Sequence, residues 1–360
     1  MSLRRFVYLI TEDTLLRSGR YLLRRVDMSR FFLPAKHRRD DDDPPPLVEA
    51  RLPPPSMRFN APVTGSRGPD LHFMLLDGGG TKSNMVVATG DEGLTVLIDP
   101  DLCSIRMLPA LTTRKAGAVS VAVGDSLYVL DTLSCAPMER GQCFDGLIFK
   151  EHRRKNDPDD DWVCRNLRIP PYLTAYRGPA RGYLSAGHAT ACALVGGAGV
   201  RGGPSIWVSE ETLGTHAYDV ATGQWSKAGD WALPFHGQAR YVPEQDLWFG
   251  LAPDDDALVR AAYLAAGSPP TTPHDVWRDV APAEWTGGRS SYLVHLGRSR
   301  FCFARLFTGR GSQGQYDEFV VFTGIEVERC GGGGGGELRV VKHRSRRYSL
   351  GAKHQVQRVI

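Results

Sequence analysis

From Thr215 to Leu251 the chain reads THAYDVATGQWSKAGDWALPFHGQARYVPEQDLWFGL, short apolar runs broken by polar turns. The first run enters a turn carrying Asp219, Thr222 and Gly223 and leaves on Trp225. Glycine supplies positive φ there, and Asp and Thr side chains bond the local backbone, so the pattern predicts a hairpin. Trp231, Leu233, Pro234 and Gly237 lead to a strand-like run from Ala239 to Val242, and the turn Pro243 to Asp246 opens into Leu247 to Leu251. About four short strands within about forty residues is the count and period of one blade of a radial β-fold.

The same pattern recurs along the chain. Val86 and Val87 approach the turn Gly90 to Gly93, and Leu94 to Ile98 returns. Ile98, Asp99 and Ile105 repeat the spacing of Tyr218, Asp219 and Trp225 at a separation of 120 residues, about three blades. Val26, Asp27 and Leu33 fit the same frame. Ala118 to Asp131 reads as two strands around Gly124 and Asp125, and further strand patterns run to Val327 and Glu337 to His343. The prediction is an all-β propeller of about six blades, closed by strands from both termini, which removes exposed sheet edges. Its first strands fall in residues 1–35, its main body in 58–348 and a basic tail in 349–360. Residues 36–57, with four consecutive aspartates at 40–43 and two proline triplets, lack the apolar surface to order themselves and read as a flexible insertion or linker. The acidic run is assigned to solvent rather than to a metal.

Composition narrows this little. The 360 residues hold 40 glycines and 24 prolines, a turn-rich balance suited to many short strands, and a net charge of +4 singles out no partner. Met1 to Arg39 carries ten Lys/Arg against three Asp/Glu, which could mark a transit peptide; alternating apolar residues at Phe6 to Ile10 and Tyr21 to Val26 favour real strands. The seven cysteines form no CxxC pair. Cys103, Cys164, Cys192 and Cys302 sit in apolar segments, which predicts buried thiols in a reducing compartment. No apolar run reaches the eighteen or so residues of a membrane span. The expected setting is cytoplasmic, with nuclear entry an alternative, and the chain a monomer.

Four groups of residues carry candidate chemistry. Asp77, Gly78, Gly79, Gly80, Thr81 and Lys82 resemble the first phosphate-binding hairpin of sugar kinases in the actin and hexokinase superfamily, but that family's second phosphate loop, adenosine loop and catalytic Asp are not found. GxGxxG occurs at Gly197, Gly199, Gly202 and at Gly309, Gly311, Gly314; a dinucleotide fingerprint needs a helix directly after, and strand-like runs follow both. His216, His236 and His295 fall in or beside strands, where a structural role is the simpler reading. Arg339, Lys342, Arg344, Arg346, Arg347, Lys353 and Arg358 could contact nucleic acid, or form the solvated face of a last strand, the preferred reading. No Tyr, His and Cys set for a copper-propeller oxidase stands out. No catalytic, cofactor or metal residue is assigned.

The hairpin with Tyr218, Asp219, Thr222 and Trp225 resembles that of kelch repeats, with Gly214 alone where a glycine pair usually precedes it. The order RRFVYLI, LLRRVDMSRFF, TVLIDPDLCSIRMLP, VGDSLYVLD, GDWALPFHGQARYVPEQDLWFGL, RFCFARLF, FTGIEV and LRVVKH resembles the plant proteins, mostly of grasses, grouped as domain of unknown function 1668. The resemblance spans nearly the whole chain. It implies a kelch-like propeller in a plant cell and carries over no catalytic residues; rigid strands presenting variable loops on one face suit a protein-interaction or scaffold role.

Overall fold

Most apolar runs marked in the sequence form strands in the computed structural model, which describes residues 3–14, 19–34, 45–61, 71–90, 93–113, 115, 118–131, 142–150, 161–172, 191–196, 203–271, 274–310, 316–330, 337–351 and 353–360. They belong to two units: Met1–Asn60 with Arg240–Tyr263 and Thr272–Ile360, and Ala61–Ala239 with Leu264–Thr271.

The first unit begins with β1 (Phe6–Asp13) and β2 (Arg20–Asp27), antiparallel with Phe6 opposite Asp27. Both are largely buried, so the N-terminal segment acts as sheet. At the end of β2 the Asp27 carboxylate accepts the Ser29 N–H at 3.1 Å, capping a 3-10 turn at Met28–Arg30, and is held by Arg5 at 2.8 Å. The hydrogen bond from Arg5 brings Asp27 down to about 2, against burial, which raises it. A depressed carboxylate stabilises the fold above its unfolded value of about 3.9 and loses that contribution as pH falls through the folded value. An NMR titration of the Asp27 carboxyl carbon is therefore expected to give a midpoint near 2, and Arg5→Ala to return it toward the ordinary range.

The turn thus matches the predicted frame, but the returning strand does not lie at Leu33. The Leu33 N–H donates to His343 Nδ1 at 3.1 Å instead. The strand beside β2 is β4 (Pro55–Asn60), preceded by the short β3 (Val48–Ala50). The later part of the segment expected to be flexible is therefore strand: Met57 is buried opposite Leu23, and the Ser56 hydroxyl donates to the Leu23 carbonyl at 3.1 Å. The aspartates 40–43 lie outside the described residues.

In the second unit three antiparallel meanders follow in order. They are β5 (His72–Leu76), β6 (Met85–Thr89), β7 (Thr95–Asp99) and β8 (Ser104–Leu108); β9 (Val119–Val123), β10 (Ser126–Leu130), β11 (Phe144–Lys150) and β12 (Asp161–Asn166); and β13 (Ala191–Val195), β14 (Ser205–Glu210), β15 (Gly214–Asp219) and β16 (Gln224–Gly229). Ile98 stands opposite Ile105 as Tyr218 stands opposite Trp225, and Asp99 and Asp219 each accept backbone N–H groups of their turns. The repeat is real. The 120 residues between its copies hold two meanders rather than three, because the connections 131–143, 150–161 and 166–191 are long.

The chain passes from one unit to the other within β17 (His236–Val242). Its first half runs parallel to β13, Ala191 opposite Gly237, and β16 is not its hydrogen-bonded neighbour. The stretch Thr215 to Leu251 is therefore the end of one meander and the start of another rather than one four-stranded sheet.

In the first unit β18 (Leu247–Leu251), β19 (Leu258–Ala262) and β20 (His274–Arg278) continue from β17. The long strands β21 (Thr286–Gly297), β22 (Arg300–Arg310), β23 (Tyr316–Cys330) and β24 (Glu337–Ser349) follow, with β3 parallel on the outer side of β24. The last strand, β25 (His354–Val359), lies in the segment predicted as a tail and pairs with β1, giving the order β25-β1-β2-β4.

Inward residues make the cores. Met74, Val87, Leu97, Leu127 and Leu147 pack between the meanders β5–β8 and β9–β12, and Tyr128, Phe144, Cys192, Ile206 and Tyr218 pack between β9–β12 and β13–β16. As its spacing predicts, Tyr218 meets aromatics of the preceding meander, Phe144 at 5.0 Å and Tyr128 at 6.2 Å between ring centroids. In the first unit Phe249, Phe301, Phe303 and Ile325 form one core, and Val7, Leu9, Phe31, Cys302 and Phe322 belong to another.

Candidate functional site

The glycine-rich turn after β5 is closed by the protein itself. Asp125, in the β9–β10 turn, accepts the Thr81 N–H at 3.0 Å, the Thr81 hydroxyl at 2.9 Å and the Lys82 N–H at 2.6 Å. A Cβ on Gly78 would lie 2.3 Å from the Gly124 carbonyl oxygen, and one on Gly80 2.2 Å from Asp125 Oδ1. The glycines let two neighbouring turns touch, and the amides that could approach a phosphate already hold a carboxylate. Lys82 points its ammonium at the Phe149 ring, 5.7 Å from the centroid, and the chain enters β6 rather than a helix. Asp125→Ala removes three hydrogen bonds to a charged acceptor, each contributing about 1.5–3 kcal/mol at most when buried and less at this half-open turn. The expected result is loss of hydrogen-exchange protection at Thr81 and Lys82 with the rest of the sheet unchanged.

The second GxGxxG begins at Gly309, inside β22; its other two glycines, and all three of the first, lie outside the described residues. His216 packs at a tilt against Tyr172, 5.1 Å between ring centroids, and burial lowers its pKa. His295 packs on Phe301 at 5.1 Å, and His236 is exposed at the start of β17. Cys143, Cys192 and Cys302 are buried, and burial pushes the Cys164 thiol up to about 11. Cys103 corrects expectation: it is exposed, in a turn at φ 52°, the place that Gly223 fills at φ 68° in the later copy.

The basic C-terminal run finds internal partners. Lys342 lies 3.6 Å from Asp279, Arg347 lies 3.8 Å over the Phe319 ring and 3.4 Å from Glu49, Arg346 covers Phe31 and Arg358 covers Tyr292. Side chains held this way are less available to a phosphate backbone.

Two charged clusters had no sequence signal. Lys115 and Asp145 form an ion pair at 2.8 Å with both side chains wholly buried. Thr113 and the Gln142 carbonyl take the other ammonium protons, at 2.9 and 2.7 Å, so no position is open to a substrate. His343, also buried, accepts from Leu33 at Nδ1, so its proton sits on Nε2, 3.2 Å from Glu326. Both clusters pin loops to strands. Among the described residues no three His, Cys, Asp or Glu side chains are grouped to hold a metal, and no helix is long and apolar enough to cross a membrane.

One sheet edge is notably apolar among the described residues. β8 ends its sheet, and in the β7–β8 hairpin Leu102, Ile105 and Met107 are 76%, 46% and 61% exposed. Several other terminal strands carry blunting features: Arg165 on β12, Lys227 on β16, Asp275 and Arg278 on β20, Pro55 and Arg58 on β4, and β3 covering β24. The charged residue of β8, Arg106, turns toward the Trp162 ring at 5.7 Å.

These features define an all-β protein built of antiparallel meanders, with an exposed apolar edge at β8. The chain belongs to the family described as "Protein of unknown function (DUF1668)", whose model matches residues 4–348. No curated protein matches it. Among solved structures it is similar to the β-propeller domain of Cps50 (Swd1) from Myceliophteria thermophila, at 11% identity over 76% of this chain and 89% of that one with a TM-score of 0.30. It is also similar to the N-terminal domain of Nup159, at 11% identity over 99% and 78% with a TM-score of 0.30. At such TM-scores the architecture has to be read from the strands themselves.

Proposed function

We propose that this chain is a protein-interaction module, a kelch-like propeller whose six four-stranded groups are blades and whose ring closes where β25 joins β1. The grouping of strands and the pairing of the two termini support the ring. An experimental density map with six radial sheets around a channel is the expected result, and two separate sheet stacks would overturn it. The setting is a plant cell, in the cytoplasm with nuclear entry open, which a fluorescent fusion tests; the family resemblance supports the plant origin.

The observation that carries the binding role is the apolar, uncharged outer face of β8. An edge unpaired among the described residues and flanked by Ile105 and Met107 suits an extended apolar segment of a partner, whose backbone would add as a fifth strand while its side chains cover the two exposed residues. The test compares proteins retained from plant extract by the unaltered chain, by Ile105→Glu with Met107→Glu, and by Val280→Glu, an exposed position far along the sequence. Partners lost only in the β8 variant support the reading, and an identical set in all three overturns it. The Asp125 contacts with the glycine turn oppose a sugar kinase: added nucleotide is expected to leave the unfolding midpoint unchanged, whereas a ligand at one hundred times its dissociation constant would add about 2.7 kcal/mol.

A further inference from the structure

In the sheet β25-β1-β2-β4, Thr11 lies opposite Leu22 and Val356, Asp13 opposite His354, and Leu22 opposite Arg58. His354, Thr11, Arg24 and Arg58 therefore form a diagonal band on one face. Arg24 is only 5% exposed, yet among the described residues its side-chain hydrogen bond runs from a terminal nitrogen to the Thr11 hydroxyl at 2.7 Å, and its Nε is buried with no acceptor. His354 Nδ1 is likewise buried without a partner, while Arg58 stands exposed at the outer strand.

A guanidinium stays charged at any physiological pH, and a buried one is retained at a cost unless an anion faces it. Here the charge that acts on Arg24 is that of Arg58, of the same sign. Burial and then Arg58 lower the Arg24 pKa, and burial and then Arg24 lower that of His354, with Asp13 and a backbone hydrogen bond to Lys353 acting in the opposite direction. Asp13 sits at the far end of the band, opposite His354 rather than Arg24.

We infer that this band binds a small phosphate-type oxyanion, with Arg24 and Thr11 as the floor and Arg58 and His354 as the rim. The buried Arg24 Nε lacks an acceptor, and the exposed guanidinium of Arg58, on the neighbouring strand, adds a second fixed positive charge. Two fixed cations match a dianion.

The full chain is titrated with inorganic phosphate, and separately with glycerol 2-phosphate, against chloride at equal ionic strength, by calorimetry and by thermal midpoint. Saturable binding is expected, weakened at least tenfold in Arg58→Ala and abolished in Arg24→Gln. If Arg24→Gln fails to fold, Arg58→Ala and His354→Ala, both at the rim, decide the matter. Binding of glycerol 2-phosphate alone assigns the site to an esterified phosphate. No saturable binding of either, or undiminished affinity in Arg58→Ala, overturns the inference.

Discussion

Replacing Asp145 with alanine is expected to cost about 3–5 kcal/mol of folding stability, because it leaves a buried ammonium without its counter-charge. Lys115 and Asp145 meet at 2.8 Å with both side chains at 0% exposure. The carboxylate also accepts the Thr112 N–H at 2.9 Å and the Asn166 amide at 3.3 Å, so its loss frees the segment around Thr112 from both β11 and β12. Removing both charges with Asp145→Leu and Lys115→Met is expected to recover most of the loss, since a buried pair is often replaceable by apolar groups of similar size. Asp230→Ala is the contrast: its partner Lys227 is 52% exposed and Asp230 itself 93%, and such surface pairs contribute about 0–1 kcal/mol. Denaturant midpoints of the three variants check this. A loss below about 1 kcal/mol for Asp145→Ala would contradict the reading of the pair as the anchor of that loop.

Phe144→Ala is expected to cost about 3–5 kcal/mol, the range for deleting a fully buried aromatic. The ring is 1% exposed and meets Tyr218 edge-on at 5.0 Å and 87°, with Trp225 at 5.6 Å and Tyr128 at 6.4 Å. Edge-to-face packing adds to the area term, and three large rings cannot collapse into the space left. Ile105→Ala on β8 is expected to stay within about 0.5 kcal/mol, as an exposed site. The same denaturation series measures both, and a Phe144→Ala loss no larger than that of Ile105→Ala would remove the aromatic cluster as the link between the two meanders.

The strands themselves were legible because alternation of apolar and polar residues and the chemistry of Gly, Asp and Asn turns act over a few residues. Tyr218 and Trp225 announce their own hairpin, and Ile98, Asp99 and Ile105 repeat it. Which strands share a sheet was less legible. β16 and β17 follow each other in sequence without pairing, and β17 instead lies parallel to β13. The glycine turn at 77–82 reads locally as a phosphate loop because the residue that closes it, Asp125, lies 43 positions beyond Lys82. Lys115, Asp145 and Arg24 carry no motif, since an isolated charge is buried or solvated according to neighbours that are distant in sequence.

Alone, then, the order of residues determined an all-β chain, its hairpins and the aromatic positions that face inward, all properties that backbone sterics and side-chain period decide locally. Tertiary structure decided that the C-terminal segment pairs with β1, that the basic run is spent on rings and carboxylates, and that β8 is left as an apolar edge. Those outcomes depend on contacts between segments up to the full chain length apart, and pairing over such distances is set by shape and burial rather than by any pattern within a segment.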